Sequence, residues 1–395
     1  MLSNVATGAA TGSFLTLLLP PFVTNVTGEP WRVGVVFAVL SLAAAIGPVV
    51  GSLVDRTRTH RVAYTLSLVA MAGSYALLAV DAAVEWYSPL FGLLLGAAWA
   101  AQGTIGPALI VGAGDPADVA ARRLTRFNLA YPVGVLVGAV IVAVATELAW
   151  AASSIFLVCT VVLAAAALVT WLTTHDVASS IRSGEAPVPA RGSRDHTARS
   201  QLTGVAFAGF LVVVFVSSLG SNGLVSQLAN VMPAVYGFTD TGTALLVGLA
   251  GSLNIATLLI AGRVLARTTS LEVFTAGTLV RGLGAMAMAL VGLFTTPVLV
   301  LAALTMLITY QGIPIPRLAA PDLAARLAHG SPTRANGAYF AASAIGSTVG
   351  CAAAGIAAVH SYQGVLWIAG AAGIVASAIA IAWLRPAAAP SLVSS

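Results

Sequence analysis

GSLVDRTRTHRV, Gly51 to Val62, is matched 211 residues later by GRVLARTTSLEV, Gly262 to Val273. Gly, Arg, Thr and Val coincide at 51/262, 56/267, 57/268 and 62/273. Two more correspondences follow in order. Gln102-Gly103 pairs with Gln311-Gly312 at a shift of 209, and RFNLAY, Arg126 to Tyr131, pairs with RANGAY, Arg334 to Tyr339, at a shift of 208. Three ordered matches at nearly one offset describe a chain made of two tandem halves.

Working outward, each matched segment is flanked by long apolar runs. The 395 residues are 58% hydrophobic and only 8% charged, whereas a soluble domain carries about a quarter charged residues. A helix crossing hydrocarbon needs about 20 mostly apolar residues. Twelve stretches meet or approach that length: 8–26, 33–53, 62–80, 87–111, 129–146, 148–172, 202–227, 241–261, 273–293, 297–313, 335–358 and 365–384. Unpaired backbone is too costly in lipid for anything but helices or a closed barrel, and a barrel would show short alternating strands instead. The expected fold is an all-α membrane protein of twelve transmembrane helices in two six-helix pseudo-repeats. The halves are 1–172 and 202–395, joined by a polar Ser-, Pro-, Gly- and Arg-rich linker at 173–201.

All eighteen basic residues are arginine, which reads as codon bias in a GC-rich bacterial genome. Counting spans, the loops 2–3, 4–5, 6–7, 8–9 and 10–11 and the tail hold almost all of them, among them Arg56, Arg122, Arg194, Arg267, Arg317 and Arg385. The opposite side has Arg32 with Glu29, Asp81, Glu85, Glu147 and Asp240. The positive-inside rule then puts both termini in the cytoplasm, in a bacterial plasma membrane. Trp31, Trp86, Trp150, Trp171, Trp367 and Trp383 lie at span ends, where the interface favours them; Trp99 lies deep in span 4.

Other classes are disfavoured. The arginines form no continuous stripe for nucleic acid. Cys159 and Cys351 fall in apolar spans, and the five histidines lie in loops or at span ends without ligand spacing, so neither a disulfide framework nor a metal or other cofactor is expected. No nucleotide loop and no nucleophile–base pairing is present, which argues against an enzyme and against an ATP-driven pump.

Gly51-Ser-Leu-Val-Asp55-Arg56 resembles the signature of the major facilitator superfamily in the loop after span 2, Gly-x-x-x-Asp-Arg/Lys-x-Gly-Arg/Lys-Arg/Lys. Its second part departs, with Arg58 for Gly and Thr59-His60 for the basic pair. The resemblance extends over the whole chain in topology, repeat and linker. It implies a secondary transporter in which Asp55 and Arg56, with Gly51, Arg126 and Arg334, act at a cytoplasmic gate, Asp55 docking near the N-terminus of span 11. It also implies that spans 1, 4, 7 and 10 line a central cavity. Trp99-Ala-Ala-Gln102-Gly103 is similar to the Arg-x-x-Gln-Gly of proton-linked exporters, with Trp for Arg. Gly134-x-x-x-Gly138 and Gly346-x-x-x-Gly350 resemble the exporter Gly-x-x-x-Gly-Pro without its Pro, and read more simply as close helix packing.

On those spans, Trp99, Gln102, Ser218, Asn222, Tyr310 and Gln311 are the candidate substrate contacts, because an amide or hydroxyl in lipid needs a partner. No Asp or Glu lies mid-span. Proton coupling is therefore open, with Asp55 and Asp115 near span ends as titratable candidates. Arg281 in span 9 is the one ionisable side chain in mid-membrane, a candidate charge or anion site, or a side chain snorkelling to the cytoplasm. Pro20-Pro21 and Pro233 are expected to break spans 1 and 7 as hinges. The expected function is alternating-access transport of a small solute by a monomer, export of a drug-like or metabolite molecule ahead of uptake of a polar nutrient. A non-transporting membrane sensor is the alternative from another class.

Overall fold

The computed structural model describes residues 1–80, 84–111, 117–174, 201–294, 299–328 and 332–384. Most of the expected linker and Asp115 lie outside these, as do the side chains of Trp86 and Arg334. The described residues are helical throughout, with twelve helical spans long and apolar enough to cross a membrane: Leu2–Thr27, Pro30–Thr57, His60–Ala79, Pro89–Ile110, Arg122–Glu147, Ala152–Thr173, Gly204–Tyr236, Asp240–Leu265, Ser270–Val291, Leu299–Leu327, Ala335–His360 and Tyr362–Leu384. They are numbered spans 1 to 12 below. Large apolar side chains such as Leu42, Leu66, Val144, Val161 and Leu245 point outward, as they must where the surrounding medium is hydrocarbon.

The repeat is visible in the backbone. Gly28 ends span 1 and Gly237 ends span 7, both with left-handed φ, +70° and +73°. That conformation closes a helix at little cost only for glycine. Span 5 packs on span 1 where a side chain at Gly134 would strike the Val5 carbonyl, and one at Gly138 would meet Ala9. Span 11 packs on span 7 in the same way, Gly346 against the Phe215 carbonyl and Gly350 against that of Leu219. These Gly-x-x-x-Gly pairs are packing devices: the missing side chains let two backbones touch.

Three expectations about breaks are corrected. Span 10 does not stop at 313. A turn at Gly312-Ile313 is followed by a second helix, Pro314–Leu327, so Arg317 sits within the span and not in a loop. Proline at the first helical position starts a helix as readily as it ends one. Pro233 leaves the helix Gln201–Tyr236 uninterrupted; it lies close enough to the C-terminus for the chain to tolerate its missing donor. In span 1 the change of winding is upstream, where Ala9–Leu18 forms a π-helix and Pro20-Pro21 occupy the first turn of the next helix.

Each half has an aromatic centre. In the first, Tyr75 meets Phe91 edge-on at 5.3 Å and Phe22 meets Phe156 at 5.1 Å. In the second, Phe210 lies 5.8 Å from Phe274 and 6.2 Å from Tyr339. Edge-on and offset ring pairs at these spacings favour one packing over its alternatives. The halves touch where span 2 crosses span 11, with Gly34 beside Gly355, and where span 5 crosses span 8, with Gly248 and Gly251 against Ala139 and Val135.

Candidate functional site

Polar side chains run along the lines where the halves meet. On span 1, Thr7 and Thr11 bind the carbonyls one turn back, at 2.9 and 2.8 Å, and Thr11 Oγ1 also lies 3.1 Å from the Tyr131 hydroxyl of span 5. In the second half, a seam of hydroxyls and an amide joins spans 7 and 11. Ser218 Oγ is 2.9 Å from Ser343 Oγ, and Asn222 Nδ2 donates to Ser347 Oγ at 2.7 Å and to the Ser218 carbonyl at 3.2 Å. Cys351 donates to the Asn222 carbonyl at 3.4 Å.

Several hydrogen bonds cross between the halves. Asn230 Nδ2 donates to Thr24 Oγ1 at 3.0 Å, and Gln227 Nε2 to the Pro30 carbonyl at 3.2 Å. Thr241 Oγ1 donates to Glu147 at 3.2 Å, and Thr348 Oγ1 is 3.4 Å from the Ala38 carbonyl. All four lie on the side of the bundle away from the arginine-rich loops, at the span ends or in the half of the membrane next to them.

The sequence candidates fall into three groups. At the loop-rich end, Gly51 faces Thr104 of span 4, and Asp55 is exposed with its Oδ1 3.0 Å from Nε2 of His60, the first residue of span 3. Arg56 is exposed. Arg126 is also exposed and borders a groove of about 360 Å³ with Ser3, Tyr64, Arg123 and Phe127. That groove lies inside the first half, away from the line between halves, so it does not form the transport path. The backbone of Arg334 is in the first turn of the helix leading into span 11.

The two glutamines brace neighbouring helices. Gln102 is buried and its Nε2 donates to the Tyr64 carbonyl at 3.0 Å and Ser67 Oγ at 2.5 Å, both on span 3. Gln311 accepts from Thr257 Oγ1 at 2.7 Å and donates to the Ala250 carbonyl at 3.3 Å, both on span 8. Trp99 is half-buried against the apolar core. Ser218 and Asn222 bond within the second half, to span 11, and Tyr310 is buried on span 10.

Arg281 is buried, 5% exposed, and its Nη2 donates to the carbonyl and Oγ of Ser217 at 2.8 and 2.6 Å. Its direction is toward span 7, not out to the cytoplasmic interface.

Sequence reasoning missed Tyr131 and Asn254 as site residues. Tyr131 stands in the repeated Arg-x-Asn-x-Ala-Tyr, on a span that the family resemblance leaves out of the cavity lining. Asn254 on span 8 has a buried Oδ1 without a hydrogen-bond partner; it lies on the helix face that carries Gly251 toward span 5 and Thr257 toward Gln311. An amide in the middle of an apolar run was its signal.

Twelve spans, a duplicated half and a polar line between the halves define a multi-span membrane transporter, not an enzyme. The chain belongs to the Major Facilitator Superfamily, whose family model matches residues 1–330. Solved structures share the fold at low identity. The nucleoside transporter NupG superposes with a TM-score of 0.72 at 15% identity, over 97% of either chain. A POT family transporter in complex with 5-aminolevulinic acid gives 0.77 at 13% identity, over 98% of this chain and 96% of that one. The xylose transporter XylE from E. coli, in an inward open conformation, gives 0.72 at 14% identity, over 97% and 95%. The sequence has no match among proteins of curated function.

Proposed function

We propose that this chain carries a small hydrogen-bonding solute across a bacterial plasma membrane by alternating access, working as a monomer. The halves 1–172 and 202–395 rock about the polar line between them, with 173–201 as a cytoplasmic linker and both termini cytoplasmic. The observation that carries the reading is one-sided closure. The cross-half hydrogen bonds from Thr24, Pro30, Glu147 and Ala38 gather away from the arginine-rich loops. At the other side, the partner of Asp55 among the described residues is His60, in its own half. This supports a state closed outside, in which the gate of Gly51, Asp55, Arg56, Arg126 and Arg334 is not engaged. Engaging it would close the inside and free the outside.

The solute contacts are Trp99, Ser218, Asn222 and Tyr310, with Tyr131 opposite; Gln102 and Gln311 shape the wall from behind. Family likeness favours export of a drug-like or metabolite molecule. The hydroxyl- and amide-rich seam supports a second reading, import of a polar nutrient, in keeping with neighbours named for nucleoside and xylose transport. With no carboxylate in mid-span, the movement is facilitated diffusion.

The test is flux of a metabolite mixture into proteoliposomes, with and without a pH gradient, for wild type and Asp55→Asn. Flux indifferent to the gradient and lost in the variant is the expected result. Acceleration by the gradient would establish proton coupling and replace the facilitator reading. A folded preparation that moves nothing would overturn transport in favour of a sensor.

A further inference from the structure

Asn254 stands at the middle of span 8, Asp240–Leu265. Its Oδ1 is buried and has no hydrogen-bond partner among the described residues. A covered amide oxygen without a donor is a standing cost to the fold, and native chains keep few of them. The other buried side-chain atoms in this condition belong to His60, Thr65, Thr275 and Asn336. Those four lie in the first two turns of spans 3, 9 and 11, at the arginine-rich end. Of the five, Asn254 alone lies at mid-membrane depth.

Helix geometry fixes where it points. Gly251 packs on span 5, where a side chain would meet Val135 Cγ1 at 3.0 Å and the Pro132 carbonyl oxygen at 3.6 Å. Thr257 Oγ1 donates to Gln311 Oε1 of span 10 at 2.7 Å, and Gln311 Nε2 donates to the Ala250 carbonyl. At about 100° per residue, Asn254 lies about 60° from Gly251 and about 60° from Thr257, on the arc between them. It therefore faces the gap between span 5 of the first half and span 10 of the second. The π-helical part of span 1, Ala9–Leu18, also packs on span 8. Thr11 there meets the hydroxyl of Tyr131, the residue before Pro132.

A bracing role does not fit. Gln102 and Gln311 tie neighbouring helices through their amides, whereas the Asn254 oxygen ties nothing. The shift of 211 places Ala43 of span 2 at the equivalent point. The common scaffold thus forms with an apolar residue there, and only the second half carries the amide.

We propose that Asn254 is a solute contact, its amide oxygen accepting a hydrogen bond from an O–H or N–H group of a neutral polar solute. The inference rests on the transport reading. In this state span 5 covers the oxygen. Rocking of the halves draws span 5 off span 8 and uncovers it, so the bond forms as the state changes. A neutral solute fits because no carboxylate stands in mid-span to balance a cation, and a carbonyl oxygen repels the oxygens of an anion. An acceptor met only by a bound donor favours the uncovered state when solute is present.

The purified full chain is titrated by thermal shift with xylose and uridine, each beside a form whose O–H and N–H groups are methylated, for wild type, Asn254→Leu and Asn254→Ser. Wild type should bind at least one parent compound and not its methylated form. Asn254→Leu should weaken that binding about five-fold or more, the worth of one hydrogen bond. Asn254→Ser, which keeps an oxygen, should fall between. Without ligand, Asn254→Leu should melt at the wild-type temperature or above it, since the change removes a covered acceptor and no bond. A lower melting temperature marks a brace and overturns the proposal. So does equal binding of parent and methylated forms, binding unchanged in Asn254→Leu, or no binding of either parent. Counterflow of a metabolite mixture in proteoliposomes separates the two claims. Solutes carried with equal KM by wild type and Asn254→Leu would sink the contact and leave the carrier. Asn254-dependent binding in a chain that carries nothing would sink the carrier and leave the contact.

Discussion

Asn230 Nδ2 donates to Thr24 Oγ1 across 3.0 Å, joining span 7 to span 1 at the end of the bundle farthest from the arginine-rich loops. Asn230 also donates to Gln227 Oε1 at 3.3 Å, and Gln227 holds the Pro30 carbonyl. Three side chains therefore make one small latch between the halves. Such a bond is worth about 1 kcal/mol net, enough to move a two-state equilibrium about five-fold. Asn230→Ala should open the outer end by about that factor. Spin-label distances between the outer ends of spans 1 and 7 would read it, and an unchanged distribution would show that the latch does not set the state.

Packing glycines should differ sharply in tolerance. Gly350→Ala drives a methyl group into the Leu219 carbonyl, whereas a side chain at Gly103 meets nothing within 4 Å. Overpacking costs about 1–3 kcal/mol, so Gly350→Ala should lower the melting temperature in detergent. Gly103→Ala should leave it unchanged or raise it slightly, since alanine is the better helix former. Equal melting of the two variants would refute the contact between spans 7 and 11.

Gln102 and Asn222 separate bracing from solute contact. Gln102→Leu removes two hydrogen bonds to span 3 and should cost about 1–3 kcal/mol of stability with KM unchanged. Asn222→Ala should raise KM several-fold. Flux assays and melting curves on the same preparations check both, and a change in KM for Gln102→Leu would return it to the solute path.

Arg61 ties span 3 to span 6. Its guanidinium lies 3.8 Å from the Trp171 ring centroid and its Nε and Nη2 donate to the Trp171 carbonyl at 3.1 and 2.5 Å. A cation over an indole contributes about 1 kcal/mol. Arg61→Ala should speed hydrogen exchange at the end of span 6 and leave the number of spans intact. Unaltered exchange there would mean the contact contributes nothing.

The span count and the two halves were legible because lipid leaves the backbone few options and most of the arginines fall at the span ends on one side. A missed span would have scattered Arg56, Arg122 and Arg267 over both sides. The inner end of span 10 was not legible, since Gly312, Pro314 and Pro316 read as a stop. In fact the turn at Gly312 and the proline at the next helix start extend the span and carry Arg317 into it. The partners of Gln102 were hidden for another reason. Sequence gives the face of a helix only coarsely, and an amide reaches either the cavity or the helix behind it with a small rotation. Tyr131 shows the converse, a residue plain in the repeat whose hydrogen bond to Thr11 depends on how spans 1 and 5 meet.

The paired glutamines have a consequence for ancestry. Gln102 fastens span 4 to span 3, whereas its counterpart Gln311 fastens span 10 to span 8. One inherited side chain now serves two different neighbours. A tandem of two first halves would repeat the first tie and lack the second, so the duplicated pieces have become complementary parts, each fitted to the other and no longer exchangeable.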